Sequence, residues 1–484
     1  MKTVFEAQNH ILMQYLKYAS KTEYGKKYGF KDITDYRHYV ENVPISSFKN
    51  YQEYLEPMKQ GVPDLMWPGK VDKFAISAGT TGAPKEIPLP KDRERSDVIF
   101  LRKVALGYFK QHPSNLLSIA GKHASLPGMI ENDPDYPGVQ FGEISGFLAT
   151  FAPFILAKLQ VIPAKVAVRM NFQDKVNLMI ERGLRSDVRV FTSLPSVALR
   201  FYQIMLEKTG KKSMAEIWPN LKLMISGGEP LPSYKKHLSK LCEGLDIHYI
   251  ENYGASEGYF AFNTEQNRDD LKLIVNNNVF YEWIPDPAST KEELMNQKTI
   301  PTWEVEKDRR YAMVVTSNSG LWRYLLNDVI VFTDLEKPRI KVSGRVTDVH
   351  DAYGEAIEAF HVKETLEKVT EKTGGIYSNY SLGVLLDDNH PSPTHIWFIE
   401  WAEKPADMDA FAKSVDEMLI SINRSYEIRR KGEAIAPPKF VNMTKNAIEA
   451  WQNEHFNVRA QTKIPRMIHD QDKCRALIEK CRNE

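Results

Sequence analysis

Cysteine is scarce in this chain, and neither sign of charge is in excess. Three cysteines, Cys242, Cys474 and Cys481, occur among 484 residues, and none belongs to a CxxC pair. A disulfide framework or a zinc site needs more thiols at closer spacing, so we expect reduced thiols in a cytoplasmic protein. The formal net charge is +1. Nucleic acid and anionic membrane surfaces both bind concentrated basic patches, so neither is an expected partner, and a monomer is plausible.

Long apolar runs are also missing. The longest apolar stretch covers residues 146–157, contains Pro153 and is too short to span a bilayer; we interpret it as buried core. Near the first residue, Glu6 and Gln8 interrupt the apolar segment that a signal peptide would require. We find no internal repeat and no low-complexity tract.

The middle of the chain alternates short apolar runs with helical periodicity. The apolar runs cover 188–195, 221–232, 247–254 and 310–317, and a helix-like segment covers 196–210. Strand, turn and helix in repeated order predict an α/β protein in which helices pack on sheets. The first 60 residues are expected to be helical, because apolar residues recur there at three- and four-residue spacing: Phe5, Ile11, Leu12, Tyr15, Leu16 and Ala19.

A second, smaller domain is expected after a boundary close to Gly344. A strand ends there, polar residues follow, and a new helix begins before residue 360. Further elements are predicted at 379–386, 394–402, 407–426 and 437–443. These suffice for a small α+β domain with its own core. We therefore divide the chain into an N-terminal domain, a connecting segment and a C-terminal domain: 1–343, 344–351 and 352–484.

A loop rich in serine, threonine and glycine lies in the sequence "FAISAGTTGAPKEIPLP" (74–90). It is not a Walker P-loop, because Pro88 and Pro90 prevent a helix from following Lys85. We predict a turn between two extended strands. Its backbone amides, with the hydroxyls of Ser77, Thr80 and Thr81 and the Lys85 ammonium, are suited to an anion. Taken alone, such a segment is more often a solvated turn than an anion site.

Two later motifs supply complementary groups. In "NYGASEGYF" (252–260), Tyr253 is suited to stack on a purine, and Glu257 is suited to bind Mg²⁺, which prefers one or two carboxylates with phosphate oxygens. In "YLLND" (324–328), Asp328 follows an apolar strand and is suited to two vicinal hydroxyls. The alternatives are a core tyrosine at a strand corner and a turn or capping aspartate.

In their order along the chain, with "SGGEPLP", "GRVTD" and a C-terminal lysine loop, these motifs resemble the adenylate-forming superfamily of acyl-CoA synthetases, luciferases and peptide-synthetase adenylation domains. Within it, the chain is most similar to the auxin-responsive Gretchen Hagen family of acyl acid–amido synthetases, and we expect a bacterial member. That resemblance rests on "VPISSFKNYQEYLEPMKQG", "FYEWIP" and "INRSYEIRRKGEAIAPPKF" through "QTKIPR". It spans nearly the whole chain. The implied fold is a large adenylate-forming domain with a small mobile C-terminal lid.

The resemblance implies roles for individual residues. Those expected to bind the ATP phosphates are Ser77, Ala78, Gly79, Thr80, Thr81 and Lys85. Those expected around adenine and ribose are Gly227, Gly228, Tyr253, Gly254, Ala255, Ser256, Asp328 and Arg345. Glu257 would hold Mg²⁺, Asp348 would lie at the hinge 344–351, and Lys463 would contact the carboxylate and the α-phosphate. Two departures from the family pattern are Asn327, where many relatives have glycine, and a lysine loop with little glycine around Thr462.

The implied reaction uses ATP and Mg²⁺ to activate a small carboxylic acid as acyl-AMP, and then joins it to an amino acid. His350 and His123 are candidate bases for the amine, and Arg102 and Arg200 are candidates to pair with the amino acid carboxylate. The stretches "SGFLATFAPF" and "FTSLPSVALRFY" are candidates for the acyl pocket. The alternatives are an acyl-CoA synthetase that forms a thioester, and a degenerate sensor that binds a nucleotide or an acid.

Overall fold

The computed structural model describes most of the chain. The described residues are 2–77, 85–151, 154–228, 231–288, 291–346, 349–350, 355, 357–385, 394–431, 435–444, 447–448, 450–451, 465–468 and 471–482. They divide into two compact units. The first comprises Met1–Asp286, Met295–Leu326 and Ile330–Val342, and the second comprises Pro287–Leu294, Asn327–Val329 and Ser343–Glu484. The assignment of 344–351 to a hinge and 352–484 to a mobile lid stays a prediction.

Helices occupy much of the chain up to residue 296. They are α1 (Lys2–Ala19), α2 (Glu23–Lys27), α3 (Tyr36–Asn42), α4 (Gln52–Lys59), α5 (Lys91–Gln111), α6 (Ile144–Thr150), α7 (Phe154–Leu159), α8 (Ala164–Ala167), α9 (Phe172–Gly183), α10 (Pro195–Thr209), α11 (Pro232–Leu241) and α12 (Lys291–Asn296). Helix α10 matches the predicted segment 196–210. It starts with a proline, which has no N–H to lose, and Gly210 follows its end with φ +67°, a conformation that glycine adopts without steric cost.

The strands up to residue 345 form two sheets. They are β1 (Lys73–Ser77), β2 (Lys85–Pro88), β3 (Lys122–Ser125), β4 (Ile130–Asn132), β5 (Gln140–Gly142), β6 (Val188–Thr192), β7 (Leu223–Gly227), β8 (His248–Ala255), β9 (Gly258–Asn263), β10 (Leu271–Leu273), β11 (Val279–Pro285), β12 (Ile300–Pro301), β13 (Arg310–Ser317), β14 (Leu321–Asp334) and β15 (Arg339–Arg345). The large sheet has the order β12-β11-β13-β14-β15-β10-β9-β8-β7-β6-β3, and the small one β2-β1-β5-β4.

The large sheet changes character at β8. Strands β3, β6, β7 and β8 pair in parallel, with α10 and α11 as crossovers, whereas β8 pairs antiparallel with β9. Parallel strands bring their carboxyl ends to one edge of the sheet, and ligands of α/β proteins bind at such edges. The glycines at the end of β7 and the "YGASE" motif at the end of β8 therefore lie at the same edge.

Helix α1 packs on the core, but the predicted stripe needs one correction. Leu12, Leu16 and Ala19 are buried as expected, whereas Phe5 is 44% exposed. Gln8 points inward instead, and its amide nitrogen donates to the carbonyl oxygens of Val275 (2.7 Å) and Val279 (2.9 Å). These bonds satisfy the buried amide. An apolar-only reading of the helix period therefore misses a polar anchor to β11.

The interpretation of 146–157 as buried core is wrong in part. Two short helices, α6 and α7, include most of the described residues of this segment, and Gly146 and Phe147 are buried. Leu148, Phe151 and Leu156 are only half-buried. The sequence pattern could not distinguish these states, because a short apolar run has no polar face from which to set the helix phase.

The second unit has its own helices, sheet and core. Its elements are β16 (Val349–His350), β17 (Ile357–Glu358), α13 (Ala359–Thr373), β18 (Ile376–Leu385), β19 (Thr394–Glu403), α14 (Met408–Ile422), α15 (Arg424–Lys431), β20 (Lys439–Met443), β21 (Met467–Ile468) and α16 (Gln471–Arg482). The sheet order is β20-β19-β18-β21. Leu382 and Trp397 of the sheet, with Phe411 and Val415 of α14, are fully buried.

In the described part of the chain, helices that combine the length and the apolar character needed to cross a membrane are absent. All three cysteines are free thiols. Burial raises the pKa of Cys242 and of Cys474 to about 12 each. Since the thiolate is the reactive form, both side chains are inert packing groups at neutral pH.

A buried ion pair fixes β14 to β11. Arg323 on β14 is 3% exposed and Glu282 on β11 is fully buried, and the Arg323 Nη2 to Glu282 Oε1 distance is 3.0 Å. Arg323 also donates to the Val43 carbonyl oxygen (2.6 Å) and to Thr299 Oγ1 (2.7 Å). Glu282 belongs to the "FYEWIP" motif, so this motif has a structural role.

Glu282→Ala is expected to lower the free energy of unfolding by about 3–5 kcal/mol, because it leaves the Arg323 guanidinium buried without its counter-charge. Glu53→Ala is the control, since Glu53 forms an exposed pair with Lys27, and exposed pairs contribute about 0–1 kcal/mol. Urea unfolding of both variants measures the difference. Equal losses in the two variants would contradict this account of β14.

Candidate active site

The serine- and glycine-rich loop lies between the paired strands β1 and β2. These strands are antiparallel, and Ser77 pairs with Lys85 at the last rung. Helix α5 begins only at Lys91, after both prolines. The predicted turn between two extended strands is confirmed for its flanks. Ala78, Gly79, Thr80 and Thr81 lie outside the described residues, as does the side chain of Ser77.

Lys85 and Glu257 both lie near the hydroxyl of Tyr324. Lys85 Nζ lies 3.4 Å from the Tyr324 hydroxyl oxygen, and the Glu257 carboxylate is close enough to influence the pKa of the same hydroxyl. Burial raises the pKa of the Tyr324 hydroxyl well above its usual value, and the neighbouring Glu257 charge raises it further. The hydroxyl therefore keeps its proton at neutral pH, and its oxygen accepts a hydrogen bond from Lys85. Three segments far apart in sequence thus contribute to one arrangement.

Hydrogen bonds from two other segments of the chain hold the turn that carries Glu257. Ser256 and Glu257 join β8 to β9, and both are buried. Arg93 on α5 donates from Nη1 to the Ser256 carbonyl oxygen (3.1 Å), and Ser317 Oγ donates to the Glu257 carbonyl oxygen (3.3 Å). Because both carbonyls are held, the turn places the Glu257 side chain with little freedom.

Arg93 is a site-supporting residue that sequence reasoning missed. It is 2% exposed and pairs with Asp97, one helical turn further on α5, at 2.8 Å. Burial raises the pKa of the Asp97 carboxyl, and the Arg93 guanidinium opposes that rise. The i,i+4 spacing of the two charges was visible in the sequence, but such pairs usually occupy exposed helix faces, so the spacing alone gave no signal.

The residues expected around adenine lie at the end of β7 and along β8. Gly228 has φ +79°, and a Cβ on Gly227 would lie 2.9 Å from the Asn252 carbonyl oxygen. A Cβ on Gly254 would lie 2.5 Å from the Tyr259 ring. Close packing therefore explains Gly227 and Gly254, and the positive φ explains Gly228, without a ligand. Because glycine has no side chain, these positions also leave the sheet edge open to a flat ring such as adenine.

Tyr253 and Ala255 are half-buried. The Tyr253 ring lies 5.3 Å from that of Phe260, tilted by 56°, so part of its surface packs on the core. Glu251 fixes the neighbouring loop, because its Oε1 accepts from the Leu231 backbone N–H at 2.9 Å. This bond ties the "SGGEPLP" segment to β8.

The position predicted for Asp328 is wrong. Asp328 does not follow a strand; it lies inside β14, which continues to Asp334, and it is 7% exposed. The reason is the preceding residue: Asn327 has φ +67°, so the strand is irregular there without ending. Asparagine tolerates this left-handed conformation better than other side chains, and glycine tolerates it fully. A glycine at this position, which the family pattern implies, would satisfy the same backbone requirement as the asparagine here.

The remaining predicted residues belong to the second unit or lie outside the description. Asp328 and Arg345 are in the second unit, and Arg345 is the last residue of β15. Its side chain is outside the described residues, as are Asp348 and Lys463. The Val346 N–H donates to the Asn327 carbonyl oxygen at 2.8 Å, so the start of the predicted hinge is hydrogen-bonded to the irregular part of β14.

The other candidates receive little support. The His123 ring is half-buried on β3 with Nε2 3.2 Å from the Ile119 carbonyl oxygen. Burial lowers the pKa of this ring, so the neutral form is favoured at neutral pH. The side chain of His350 is outside the described residues. Arg102 is exposed and Arg200 is half-buried.

The donor set fits a magnesium ion that arrives with a nucleotide. Among the described residues, groups of three or more metal-binding side chains are absent, so the described protein groups do not form a complete cage. Glu257 supplies one carboxylate with hard oxygen donors. Mg²⁺ commonly takes one or two carboxylates and fills its other positions with phosphate oxygens and water.

Three family models match the chain. The GH3 family N-terminal domain matches residues 1–212, the GH3 family central domain matches 272–345, and the GH3 family C-terminal domain matches 360–472. The chain belongs to the GH3 family. The predicted resemblance to Gretchen Hagen acyl acid–amido synthetases is therefore confirmed.

Named relatives of this GH3 protein are distant in sequence. Indole-3-acetic acid-amido synthetase GH3.3 of Arabidopsis thaliana is 18% identical over 539 residues, covering 95% of this chain and 89% of that protein. Jasmonoyl–L-amino acid synthetase JAR4 of Nicotiana attenuata is 21% identical over 395 residues, covering 68% and 67%. The match to Arabidopsis indole-3-acetic acid-amido synthetase GH3.10 is 26% identical over 165 residues and spans only 28% of that relative. The expected bacterial origin stays a prediction.

Solved structures share the fold. The GH3.15 acyl acid amido synthetase matches with a TM-score of 0.79 at 17% identity, covering 99% of this chain and 93% of that one. A 2-hydroxyisobutyryl-CoA ligase in the postadenylation state, in complex with 2-HIB-AMP, matches with a TM-score of 0.57 at 14% identity, covering 100% and 92%. At these identities the likeness establishes the fold. It confirms the α/β adenylate-forming architecture with an added C-terminal domain.

Asn327→Gly is expected to leave the free energy of unfolding nearly unchanged, and Asn327→Val to lower it. A left-handed backbone costs an L-residue about 1–2 kcal/mol, and the β-branched valine gains no local hydrogen bond in return. Urea unfolding of the two variants, each compared with the wild type, measures the costs. A glycine variant as unstable as the valine variant would contradict the role assigned to φ at this position.

Proposed function

We propose that this GH3-family chain is an ATP-dependent acyl acid–amido synthetase. It activates a small carboxylic acid as acyl-AMP with release of pyrophosphate, and it then transfers the acyl group to the amine of an amino acid. The observation that supports the proposal is that the Lys85 ammonium and the buried Glu257 carboxylate both lie near the Tyr324 hydroxyl. A cation suited to a phosphate and a carboxylate suited to Mg²⁺ are thus close together in a chain that matches all three GH3 domains.

The chemical problem explains the need for both charges. A carboxylate does not react with an amine at neutral pH, because its oxygen is a poor leaving group. In the first step a carboxylate oxygen forms a bond to the α-phosphorus of ATP, and the bond from that phosphorus to pyrophosphate breaks. Negative charge increases on the α-phosphate oxygens during attack, so preorganised positive charge and N–H donors stabilise the transition state.

Individual residues are assigned to this step on the basis of the family resemblance. Ser77 to Thr81 contact the phosphates with Lys85 beside them, and Lys463 reaches the carboxylate and the α-phosphate. Glu257 is the group that would hold Mg²⁺, an ion that, when bound, shields the phosphate charge.

The nucleoside is assigned to the edge formed by β7 and β8. Gly227, Gly228 and the segment Tyr253–Ser256 border the adenine, with the Tyr253 ring as the stacking surface. The Asp328 carboxylate accepts hydrogen bonds from the ribose hydroxyls, and Arg345 lies within reach of the ribose or a phosphate. A rigid sheet edge suits this task, because the Glu251 and Arg93 contacts limit the motion of both neighbouring loops.

The second step forms the amide. The amine nitrogen bonds to the acyl carbonyl carbon, the bond from that carbon to the AMP oxygen breaks, and the amine gives up a proton. The C-terminal domain, 352–484, turns about the hinge 344–351, where Asp348 lies, between the two steps. Closure excludes water, which would otherwise hydrolyse the anhydride.

Thioester formation is the competing function. The acyl-CoA ligase fold is shared, so the first step alone does not separate the two activities. We place the protein with the amido synthetases because the GH3 C-terminal domain model matches residues 360–472. The proposed substrates are a small acyl acid and an amino acid, and the proposed cofactors are ATP and Mg²⁺. We propose that the protein works as a monomer in the cytoplasm.

Acid-dependent exchange of labelled pyrophosphate into ATP tests the first step. A panel of aryl, indolyl and aliphatic acids is offered to the purified full chain with MgCl₂, and at least one acid is expected to support exchange. Amino acids or coenzyme A are then added with that acid. Amide formation supports the proposal, and thioester formation would instead indicate an acyl-CoA synthetase. A folded sample that shows no exchange with any acid would favour a sensor that binds a nucleotide or an acid without catalysis.

Glu257→Gln and Lys463→Ala are each expected to lower the exchange rate by about 10²–10³-fold, because each removes one preorganised charge from the reaction centre. Glu53→Gln and Lys404→Ala are the matched controls, since both side chains are exposed. The controls are expected to retain wild-type rates. Exchange that survives in Glu257→Gln at the wild-type rate would remove Glu257 from the site.

A further inference from the structure

Asn252 on β8 carries a buried amide oxygen without a partner. Its side chain is 9% exposed, and its Oδ1 atom is shielded from solvent with no hydrogen-bond donor among the described residues. A buried acceptor that lacks a donor lowers stability, and native proteins contain few of them. The surroundings of this amide supply an explanation for its presence.

Asn252 lies on the face of the large sheet that α5 covers. Ile250, two residues earlier on β8, packs in one apolar cluster with Phe100 and Val104 of α5, and alternate residues of a strand share a face. Phe262, which pairs directly with Asn252 from β9, belongs to the same cluster. The amide is therefore a polar group at the end of an apolar layer.

The cover on this face ends close to Asn252. Along β7, Leu223 is buried within the same cluster, whereas Ile225 and Gly227 are half-buried. Central strands of a parallel sheet are normally buried on both faces, so the exposure of Ile225 indicates an opening at the carboxyl edge. Gly227 pairs with Asn252, and a Cβ on Gly227 would lie 3.4 Å from the Asn252 Cβ. The missing side chain of Gly227 leaves room beside the amide.

The position of Asn252 differs from that of similar amides. In the described part of the chain, three other asparagines have a buried amide oxygen without a partner: Asn277, Asn318 and Asn327. The Asn318 amide nitrogen donates to Ser96 Oγ (2.7 Å), that of Asn277 donates to the Tyr259 carbonyl oxygen (3.5 Å), and Asn327 lies in the irregular part of β14. Of the four, Asn252 is the one on a parallel strand that ends at the proposed nucleotide edge.

The strand β8 connects Asn252 to the proposed reaction site. Asn252 precedes Tyr253 directly and Glu257 by five residues. Consecutive residues of a strand point to opposite faces, so a base stacked on Tyr253 lies on the other face of β8. The face beside Asn252 is thus left for the second molecule that the first reaction step needs, which is the acid.

We propose that Asn252 is a specificity-determining residue whose amide oxygen accepts a hydrogen bond from the acid. The inference rests on the proposed function, because it names the class of acid that the site activates. An acceptor oxygen requires an O–H or N–H donor on the ligand. The Cβ–Cγ torsion of asparagine is soft, so a small rotation directs the amide to a ligand that enters the opening.

The neighbours of the amide define the rest of the acid. Ile225, Ile250 and Phe262 are apolar and lie on the same face, and apolar walls with a few polar groups are typical of small-molecule sites. The substrate is therefore a small acid with an apolar aryl, indolyl or aliphatic body that carries a hydroxyl or N–H group. An acid without that donor leaves the amide unpaired.

The choice among acids tests the inference in the wild-type protein. Pyrophosphate exchange is measured with hydroxybenzoates and benzoate, with indole-3-acetate and its N-methyl derivative, and with aliphatic acids that have or lack a hydroxyl group. We expect the fastest acid to carry a donor, and its kcat/KM to exceed that of the matched acid without the donor by about 10–100-fold. A fastest acid without a donor, or one whose donor is removed without loss, overturns the inference.

Asn252→Leu removes the acceptor and is expected to lower that ratio to about one. The control is Asn263→Leu, because Asn263 is also buried but donates internally to the carbonyl oxygens of Glu265 (3.1 Å) and Arg268 (2.6 Å). Its loss should affect both acids alike and keep the ratio. A wild-type ratio in Asn252→Leu overturns the inference, and so does an equal fall in the control. A weaker affinity for ATP with an unchanged ratio would assign the amide to the nucleotide instead, which also overturns it.

Urea unfolding without ligands covers the case of an inactive variant. Asn252→Leu is expected to keep the wild-type midpoint, because its Oδ1 has no internal bond to lose, whereas Asn263→Leu is expected to lower the midpoint. Asn252→Ala, which adds no volume, replaces the leucine variant if that variant does not fold. Equal losses at both positions would show that the Asn252 amide serves the fold and would contradict the inference.

The exchange assay separates the two levels of the argument. Wild-type protein without exchange for any acid defeats the proposed function, and this inference with it. Normal exchange with an unchanged ratio in Asn252→Leu defeats only the inference.

Discussion

The site depends on a carboxylate that is buried inside the protein. Burying an isolated charge is costly, and the cost is met only by partners that donate hydrogen bonds or carry the opposite charge. Around Glu257, Tyr324 of β14 lies near the carboxylate, Lys85 of the β1–β2 hairpin lies 3.4 Å from the Tyr324 hydroxyl, and Arg93 of α5 donates to the adjoining turn. The fold is what brings these pieces together, since more than 230 residues separate Lys85 from Tyr324.

The large sheet holds the backbone of the proposed nucleotide site in place. Parallel strands end at one edge of the large sheet, where the glycines of β7 and the motif of β8 lie together. The irregular strand β14 then carries Tyr324 and, after the left-handed Asn327, the Asp328 carboxylate. Strained backbone at Arg323 and Asn327 is offset by buried bonds such as the Glu282 ion pair. This is the pattern expected where function limits the choice of conformation.

The sequence allowed the strands, the hairpin and the family to be predicted, because each depends on local patterns. Pro88 and Pro90 excluded a helix after Lys85, and α5 indeed begins at Lys91. The continuation of β14 through Asp328, the inward-facing Gln8 and the exposed Phe5 were not predictable, since tertiary contacts decide them. Arg93 was missed for the same reason: only the fold reveals that its partner is the carbonyl oxygen of Ser256.

The most direct measurement is a crystal structure of the full chain with ATP and Mn²⁺, in which the anomalous signal of manganese locates the ion. The account predicts one peak within bonding distance of a Glu257 carboxylate oxygen, about 2.0–2.3 Å by analogy with Mg²⁺, and phosphate oxygens beside the Lys85 ammonium. A peak bound only by groups elsewhere in the chain, with the nucleotide away from β1 and β2, would contradict it.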